Sequence, residues 1–261
     1  MAIEDIDAKL FNVASLIAKS KNTVVFTGAG VSTESGIPDF RSPGGIWSKY
    51  DPEDFTYQKF LSSSKARKIH WEVYSGGNLL SDDIKPNPAH YAITELDSLG
   101  KLDCVITQNI DNLHQEAGVP DNKVFQLHGS KNWVTCLNCR MRYPMREIAI
   151  RVSQKEHEPN CNKCGGILKP DVVFFGESLP YNVLTEAIDR SEHCDLFIVI
   201  GSSLVVYPAA SMPTYAVEAG ADLVIINLSS TSMDSYAKVI IRSMAGESMP
   251  KIVENLKSRI A

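Results

Sequence analysis

The sequence predicts an α/β fold: a parallel sheet with helices on both faces, and a small domain beside it. Three observations carry the prediction. Short strands, apolar on both faces, alternate with helices along much of the 261 residues, as in a parallel sheet covered on both sides. Glycine and small polar residues gather just after nearly every strand, at the edge where open α/β sheets bind ligands. Two Cys-x-x-Cys pairs, Cys136/Cys139 and Cys161/Cys164, flank a charged segment that would hardly fold without a metal.

Residues 4–20 come first, with Ile6, Leu10, Val13, Ala14 and Ile17 at three- and four-residue steps. That is an amphipathic helix, and Lys19 and Lys21 at its end suit the helix dipole. Thr23–Thr27 is β-branched and aromatic, a buried strand. It runs into Gly28-Ala29-Gly30, where glycines allow positive φ and close approach of a ligand. A helix starting behind such a turn would present amides and a dipole to a pyrophosphate. A plain tight turn is the alternative, because Thr33 stands where the dinucleotide fingerprint has a third glycine. Asp39, Phe40 and Arg41 then follow Gly36-Ile37-Pro38, in a stretch too polar for a helix entering the core.

After Pro43-Gly44-Gly45 breaks the chain, Trp47, Tyr50, Phe55, Tyr57, Phe60, Trp71 and Tyr74 recur on a broken helical period. We expect a helical insertion whose aromatics form its own core. A helix opens at Pro88 and stops at Gly100. Further strands are expected at 103–107, 123–127, 195–200 and 222–226, and a helix at about 249–260 closes the chain. Their carboxyl ends carry Gln108-Asn109-Ile110-Asp111, His128-Gly129, Gly201-Ser202-Ser203 and Asn227. With Gly28–Arg41, these segments share one edge of the sheet. Val172–Glu177 reads, on periodicity alone, as a buried strand or a lid.

The two cysteine pairs lie 21 residues apart. Two such knuckles read as a tetrahedral four-cysteine zinc site, with disulfides or unbridged thiols as the alternative. Four thiolates leave no position for water, so this zinc is structural. His157 beside the second knuckle reads as solvated rather than as a fifth ligand.

Composition narrows the function. A net charge of −5 gives no electrostatic footprint for direct nucleic-acid binding. No apolar run reaches the roughly 18 residues of a membrane helix, and the acidic Met1–Asp5 lacks a signal-peptide pattern. A cytoplasmic monomer is the expectation. Among six histidines, His128 is favoured as a base, since it ends a strand at the ligand edge and precedes a glycine. His114 falls within the next helix, where packing or surface hydrogen bonding is expected. Asn109 and Asp111 could equally cap that helix, and Arg41 could be a surface charge.

The run Gly28–Arg41 (GAGVSTESGIPDFR) resembles the signature of the sirtuins, the NAD-dependent protein deacylases. Further similarities are Thr107–His114, Leu127-His128-Gly129, the cysteine pairs, Pro170–Glu177, Gly201–Leu204 and Ile226-Asn227. They cover nearly the whole chain, which is most similar to compact bacterial and archaeal members. The resemblance implies a large Rossmann-like NAD-binding domain at 1–43, 78–130 and 171–261. A helical module at 44–77 and a zinc ribbon at 131–170 would form the small domain. It implies NAD as co-substrate, structural zinc, and acetylated-lysine proteins or peptides as substrates. The acyl oxygen of the modified lysine would attack the ribose carbon as nicotinamide leaves, and His128 would then assist deprotonation of a ribose hydroxyl. Gly28, Ala29, Gly30, Thr33, Asp39, Phe40, Arg41, Gln108, Asn109, Ile110, Asp111, His128, Gly201, Ser202, Ser203, Asn227 and Ala245 would meet NAD, with His128, Asn109 and Asp111 catalytic. Val173, Phe174, Phe175, Gly176 and Glu177 would pair with the peptide as an added strand. Relatives that prefer acidic acyl groups carry Tyr-x-x-Arg in the helical insertion. Here Tyr74 is followed by Gly77, so neutral acyl groups are expected, acetyl first. Mono-ADP-ribosyl transfer on the same scaffold, or a non-enzymatic NAD sensor, are the other readings.

Overall fold

The computed structural model describes residues 6–39, 44–75 and 84–260. Helix α1 (Ile6–Lys19) leads into β1 (Thr23–Thr27), followed by two single 3-10 turns at Ala29–Val31 and Thr33–Ser35. Helices α2 (Tyr57–Ser62) and α3 (Ser64–Ser75) form the insertion. Helix α4 (Pro88–Ser98) precedes β2 (Cys104–Thr107), the one-turn α5 (Leu113–Glu116) and β3 (Val124–Gln126). The cysteine region holds β4 (Gly129–Cys136), β5 (Arg142–Pro144), α6 (Met145–Ser153) and β6 (Leu168–Val172). The chain ends with α7 (Tyr181–His193), β7 (Leu196–Ile200), α8 (Met212–Glu218), β8 (Asp222–Ile226), β9 (Val239–Ile241) and α9 (Ala245–Ile260).

Six strands make one parallel sheet in the order β3-β2-β1-β7-β8-β9. Every residue of β1 and β7 is buried. Side chains of a strand alternate between faces, and the sheet uses both. Val25, Val105, Ile198 and Val224 pack against Leu10, Ile17, Ile93, Ile252 and Leu256 of α1, α4 and α9. Val24, Phe26, Ile106, Phe197 and Ile225 pack against Ala187, Met212 and Ala216 of α7 and α8. Each such side chain contributes about 1.5–3 kcal/mol by leaving water.

The three strands of the cysteine region form a separate antiparallel sheet, β5-β4-β6. Its core is shared with the insertion: Phe60, Trp71 and Tyr74 pack in one cluster with Val134, Met145, Ile148, Leu168 and Phe174. The expected role of the insertion's aromatics as core therefore holds for Phe55, Phe60, Trp71 and Tyr74, all buried.

Three expectations need correction. Strand β9 adds an edge that three residues of sequence did not announce. Helix α9 begins at Ala245 rather than near 249, because Glu34 from the glycine segment accepts the Gly246 amide at 2.7 Å and satisfies its first turn. Of the strand or lid expected over 172–177, the strand ends at Val172, and the exposed Phe175 beyond it bridges to Thr56.

Candidate functional site

The strand order fixes the layout of the site. The direction of the connections reverses between β1 and β7, the switch point at which open α/β sheets bind ligands. A cavity of about 470 Å³ lies there, lined by residues following β3, β2, β1, β7, β8 and β9 in turn. From β3 to β8 are four intervals of about 4.8 Å, roughly 19 Å, an extended slot. His128, Gln108 and Asn109 lie toward one end. Gly28–Gly30 and Gly201–Ser203 are central, and Asn227–Ser229 with Ser243–Ala245 lie toward the other.

The glycine segment works differently from the expectation. Gly28 is extended, with φ −128, and Gly30 is not in the left-handed region. What demands glycine is close backbone contact across the switch point: a Cβ on either would lie 2.8 Å from the Gly201 carbonyl oxygen. Gly201 is left-handed at φ 62, and a Cβ there would meet the Val31 nitrogen at 2.3 Å. Nor does a helix follow the turn. The two 3-10 turns are too short for a useful dipole, and the Gly28 and Gly30 amides donate to Ile200 and Gly201 carbonyls. The centre of the slot is thus two backbones in contact, with no side chain to bar an approaching ligand.

Side chains around this contact are orientated by hydrogen bonds among hydroxyls, amides and one carboxylate. Gln108 Nε2 donates to Ser202 Oγ at 2.8 Å, and the Leu204 amide donates to the same oxygen, leaving the Ser202 hydrogen for a ligand. Asn109 Nδ2 donates to Gly28 O and Ser32 Oγ, so its carbonyl oxygen is what it offers to the cavity. Asp111 lies behind the wall: one oxygen accepts Ser32 Oγ at 2.7 Å and the other accepts the Leu113 amide at 2.9 Å. The helix-capping reading of Asp111 is thereby correct in part, while its other oxygen holds the glycine segment.

His128 has one nitrogen committed. Its Nδ1 lies 2.9 Å from the Gln108 carbonyl, which can only accept, so Nδ1 carries the proton and Nε2 the lone pair. Burial lowers the His128 pKa from its ordinary value, opposed by that carbonyl. An unprotonated imidazole at neutral pH is the form a general base requires. His114 is fully buried, with Nε2 2.9 Å from Thr27 Oγ1, so packing is its role. Burial likewise holds His90 down to about 4.

Of the residues expected at the cofactor, Gly28, Ala29, Gly30, Thr33, Asp39, Gln108, Asn109, His128, Gly201, Ser202, Ser203, Asn227 and Ala245 line the cavity. Ile110 and Asp111 do not. Phe40, Arg41 and Gly77 lie outside the described residues. Sequence reasoning missed Val205, Val206, Ile226, Leu228, Ser229, Ser243 and Met244. They carry no distinctive chemistry, and their only signal was position, within a few residues of a strand end.

The peptide candidates adjoin His128. The Val173 amide donates to the His128 carbonyl at 2.9 Å. Glu177 accepts the Phe174 amide and pairs with buried Lys169 at 2.9 Å, whose ammonium also lies 4.3 Å from the Phe174 ring centre. None of Val173–Glu177 lines the slot.

The four cysteine sulfurs lie within 4.8 Å of one another, with Cys136–Cys164 at 3.5 Å and Cys139–Cys161 at 3.6 Å. A disulfide would need about 2.05 Å. Zn–S bonds of about 2.3 Å in a tetrahedron place sulfurs about 3.8 Å apart, so the residues fit zinc. His157 is exposed.

Fold and site together define a dinucleotide-binding α/β protein with a four-thiolate metal module. Comparison with known proteins narrows this class. Residues 28–208 match the model of the Sir2 family. The chain is 46% identical over 260 residues to NAD-dependent protein deacetylase 1 of Pyrobaculum aerophilum, covering 100% of both. It is 47% identical to NAD-dependent protein deacylase 2 of Archaeoglobus fulgidus, covering 94% of each. Among solved structures, the Sir2–p53 peptide–NAD+ complex superposes with TM-score 0.86 at 36% identity, covering 100% of both chains. Sir2Af2 bound to a myristoylated histone peptide gives 0.80 at 41%, covering 97% of this chain and 98% of that one. The chain belongs to the Sir2 family.

Proposed function

We propose that this protein is an NAD-dependent protein-lysine deacetylase that transfers the acyl group to ADP-ribose and releases nicotinamide. The single observation that carries the reading is His128: a half-buried imidazole, its Nδ1 proton held by the Gln108 carbonyl, with a basic Nε2 at one end of a dinucleotide-length slot. The full-length likeness to deacetylases and deacylases supports the same reaction.

Bound NAD would supply the electrophilic ribose carbon and the nicotinamide leaving group. The protein's part is positioning and proton transfer. Gly28, Gly30 and Gly201 admit the diphosphate to the backbone contact, and Ser202 donates to it. The Asn109 carbonyl orients the nicotinamide half, with Asp111 holding the glycine segment from behind. His128 Nε2 accepts the ribose hydroxyl proton and Gln108 O steadies the imidazolium that forms. Asn227 and Ala245 take the adenosine end. Val173–Glu177 form the peptide-facing edge next to His128. Zinc on Cys136, Cys139, Cys161 and Cys164 would hold the ribbon and take no part in the chemistry.

We assign residues 1–43, 78–130 and 171–261 to the NAD-binding domain, and 44–77 with 131–170 to the small one. The shared core of insertion and ribbon supports that division. Tyr74 is followed three residues on by Gly77 rather than by an arginine, which supports neutral acyl groups, acetyl first. Thiols arranged for metal favour a reducing, cytoplasmic setting. No described helix is long and apolar enough to cross a membrane.

The test is an incubation with NAD labelled in its adenosine and an acetyl-lysine peptide. The label is expected in a small acylated ADP-ribose product. Label retained on protein would favour ADP-ribosyl transfer instead, and intact NAD with every acyl peptide would overturn the enzyme reading.

A further inference from the structure

Arg242 lines no part of the slot, yet it joins two pieces of its wall. It stands just past β9 and directly before Ser243-Met244-Ala245, which line the slot. Its Nη1 donates back to the Asn227 carbonyl at 3.1 Å and the Ser229 carbonyl at 2.8 Å, in the segment lining the slot after β8. Its Nη2 pairs with Asp234. Asp234 in turn accepts the Thr231 amide at 3.1 Å and the Thr231 hydroxyl at 2.8 Å, closing the loop that carries Asn227–Ser229.

Packing anchors the far end of that loop through buried Met233 and leaves Asn227–Ser229 to polar bonds. Leu228 is 61% exposed, and Asn227 and Ser229 are polar. Beside the backbone bond from the Asn227 amide to the Ile241 carbonyl at 3.1 Å, three guanidinium bonds and the Asp234 cluster restrain the spacing between the two walls. A planar fork suits two carbonyls and a carboxylate at once, and an ammonium does not.

We infer that Arg242, backed by Asp234, is a positioning residue for the adenosine half of the dinucleotide. This rests on the reading of the slot as an NAD site. The strand order puts Arg242 at the end opposite His128. It should therefore set how tightly the dinucleotide binds in ground and transition states alike, without touching the chemical step.

The test measures ADP-ribose dissociation constants by calorimetry, with KM for NAD, kcat and Tm, for wild type, Arg242→Ala, Arg242→Lys and Asp234→Asn. Arg242→Ala is expected to raise both Kd for ADP-ribose and KM for NAD about ten-fold, about 1.4 kcal/mol. Its kcat should stay within two-fold, and inhibition by nicotinamide, which needs only the other end, should not change. Arg242→Lys should recover little of the loss, and Asp234→Asn should show a smaller one. Unchanged ADP-ribose affinity in Arg242→Ala would overturn the inference, as would a kcat falling in step with the rise in KM. A wild type that binds no ADP-ribose would overturn the NAD reading beneath it.

Discussion

The sheet edge and the cysteine ribbon hold their functional residues by opposite means. At the edge, two glycine backbones touch across the switch point, and hydroxyls and amides with little charge orient one another around them. Beneath lie two apolar layers, one on each face of the sheet. The ribbon has strands of three to eight residues, one shared aromatic core and a set of charges: four thiols, Lys169–Glu177, Arg67–Glu158 and Arg151–Glu156. Among the described residues lining the slot, which must accept a large anionic ligand, Asp39 alone carries a fixed charge. A module too small for its own core is built from ions. The difference predicts which half fails under which insult.

Metal removal should have the largest effect. Structural zinc contributes about 10–16 kcal/mol to the folding of small zinc modules. A strong chelator is expected to unfold residues 131–170, with loss of the near-UV signal of Trp71 and Trp133 and of deacetylation, while ADP-ribose still binds the sheet edge. Unchanged circular dichroism and activity after proven zinc loss would break the comparison.

Acid should weaken both halves alike. His70, in the aromatic core, and His90, under the sheet edge, are each held down to about 4 by burial. The unfolded chain therefore binds more protons than the folded one between pH about 6.5 and 4, and stability falls as pH falls through that window. The loss approaches about 3 kcal/mol for each histidine near pH 4. Denaturant midpoints measured from pH 7 to 4 check this; a flat profile contradicts it.

Gly201→Ala aims at the edge alone. A left-handed alanine whose Cβ meets Val31 and Gly30 backbone should cost about 3 kcal/mol. It should abolish ADP-ribose binding while zinc content stays at one per chain. Loss of zinc in the same variant would show that the halves are not independent.

Lys169→Met aims at the ribbon side, with the smallest effect. Removing the ion partner of Glu177 should cost about 2 kcal/mol. It should raise KM for the acyl peptide several-fold and leave ADP-ribose affinity unchanged. An equal change in both would place the pair outside the peptide edge.

The same contrast decided what the sequence could reveal. The strands at 23–27, 104–107, 196–200 and 222–226 were legible because each packs on both faces and is apolar or β-branched over nearly its whole length, while the half-buried strand at 124–126 showed through Val124 and Phe125. Position relative to their ends gave twelve wall residues, and the thirteenth, Ala245, came from the resemblance to the sirtuins. β5 and β9, three residues each, have no period to read, and β4 is polar at exposed Asn132 and half-buried Thr135. Only the cysteines announced that region. The start of α9 was hidden for another reason: Gly246 and Pro250 read locally as breakers, and the Glu34 carboxylate that accepts the Gly246 amide lies 212 residues away in sequence. The need for Gly28 and Gly30 was visible, but its cause, contact with Gly201, was a tertiary fact.

The most direct test of the account is nicotinamide release from NAD, with and without an acetyl-lysine peptide, for wild type and His128→Ala. We predict release that depends on the peptide and matches freed lysine one for one. His128→Ala should make at least about 100-fold less freed lysine, the usual contribution of a positioned base. Wild-type rates of lysine release from His128→Ala, or nicotinamide release by wild type that ignores the peptide, would contradict it.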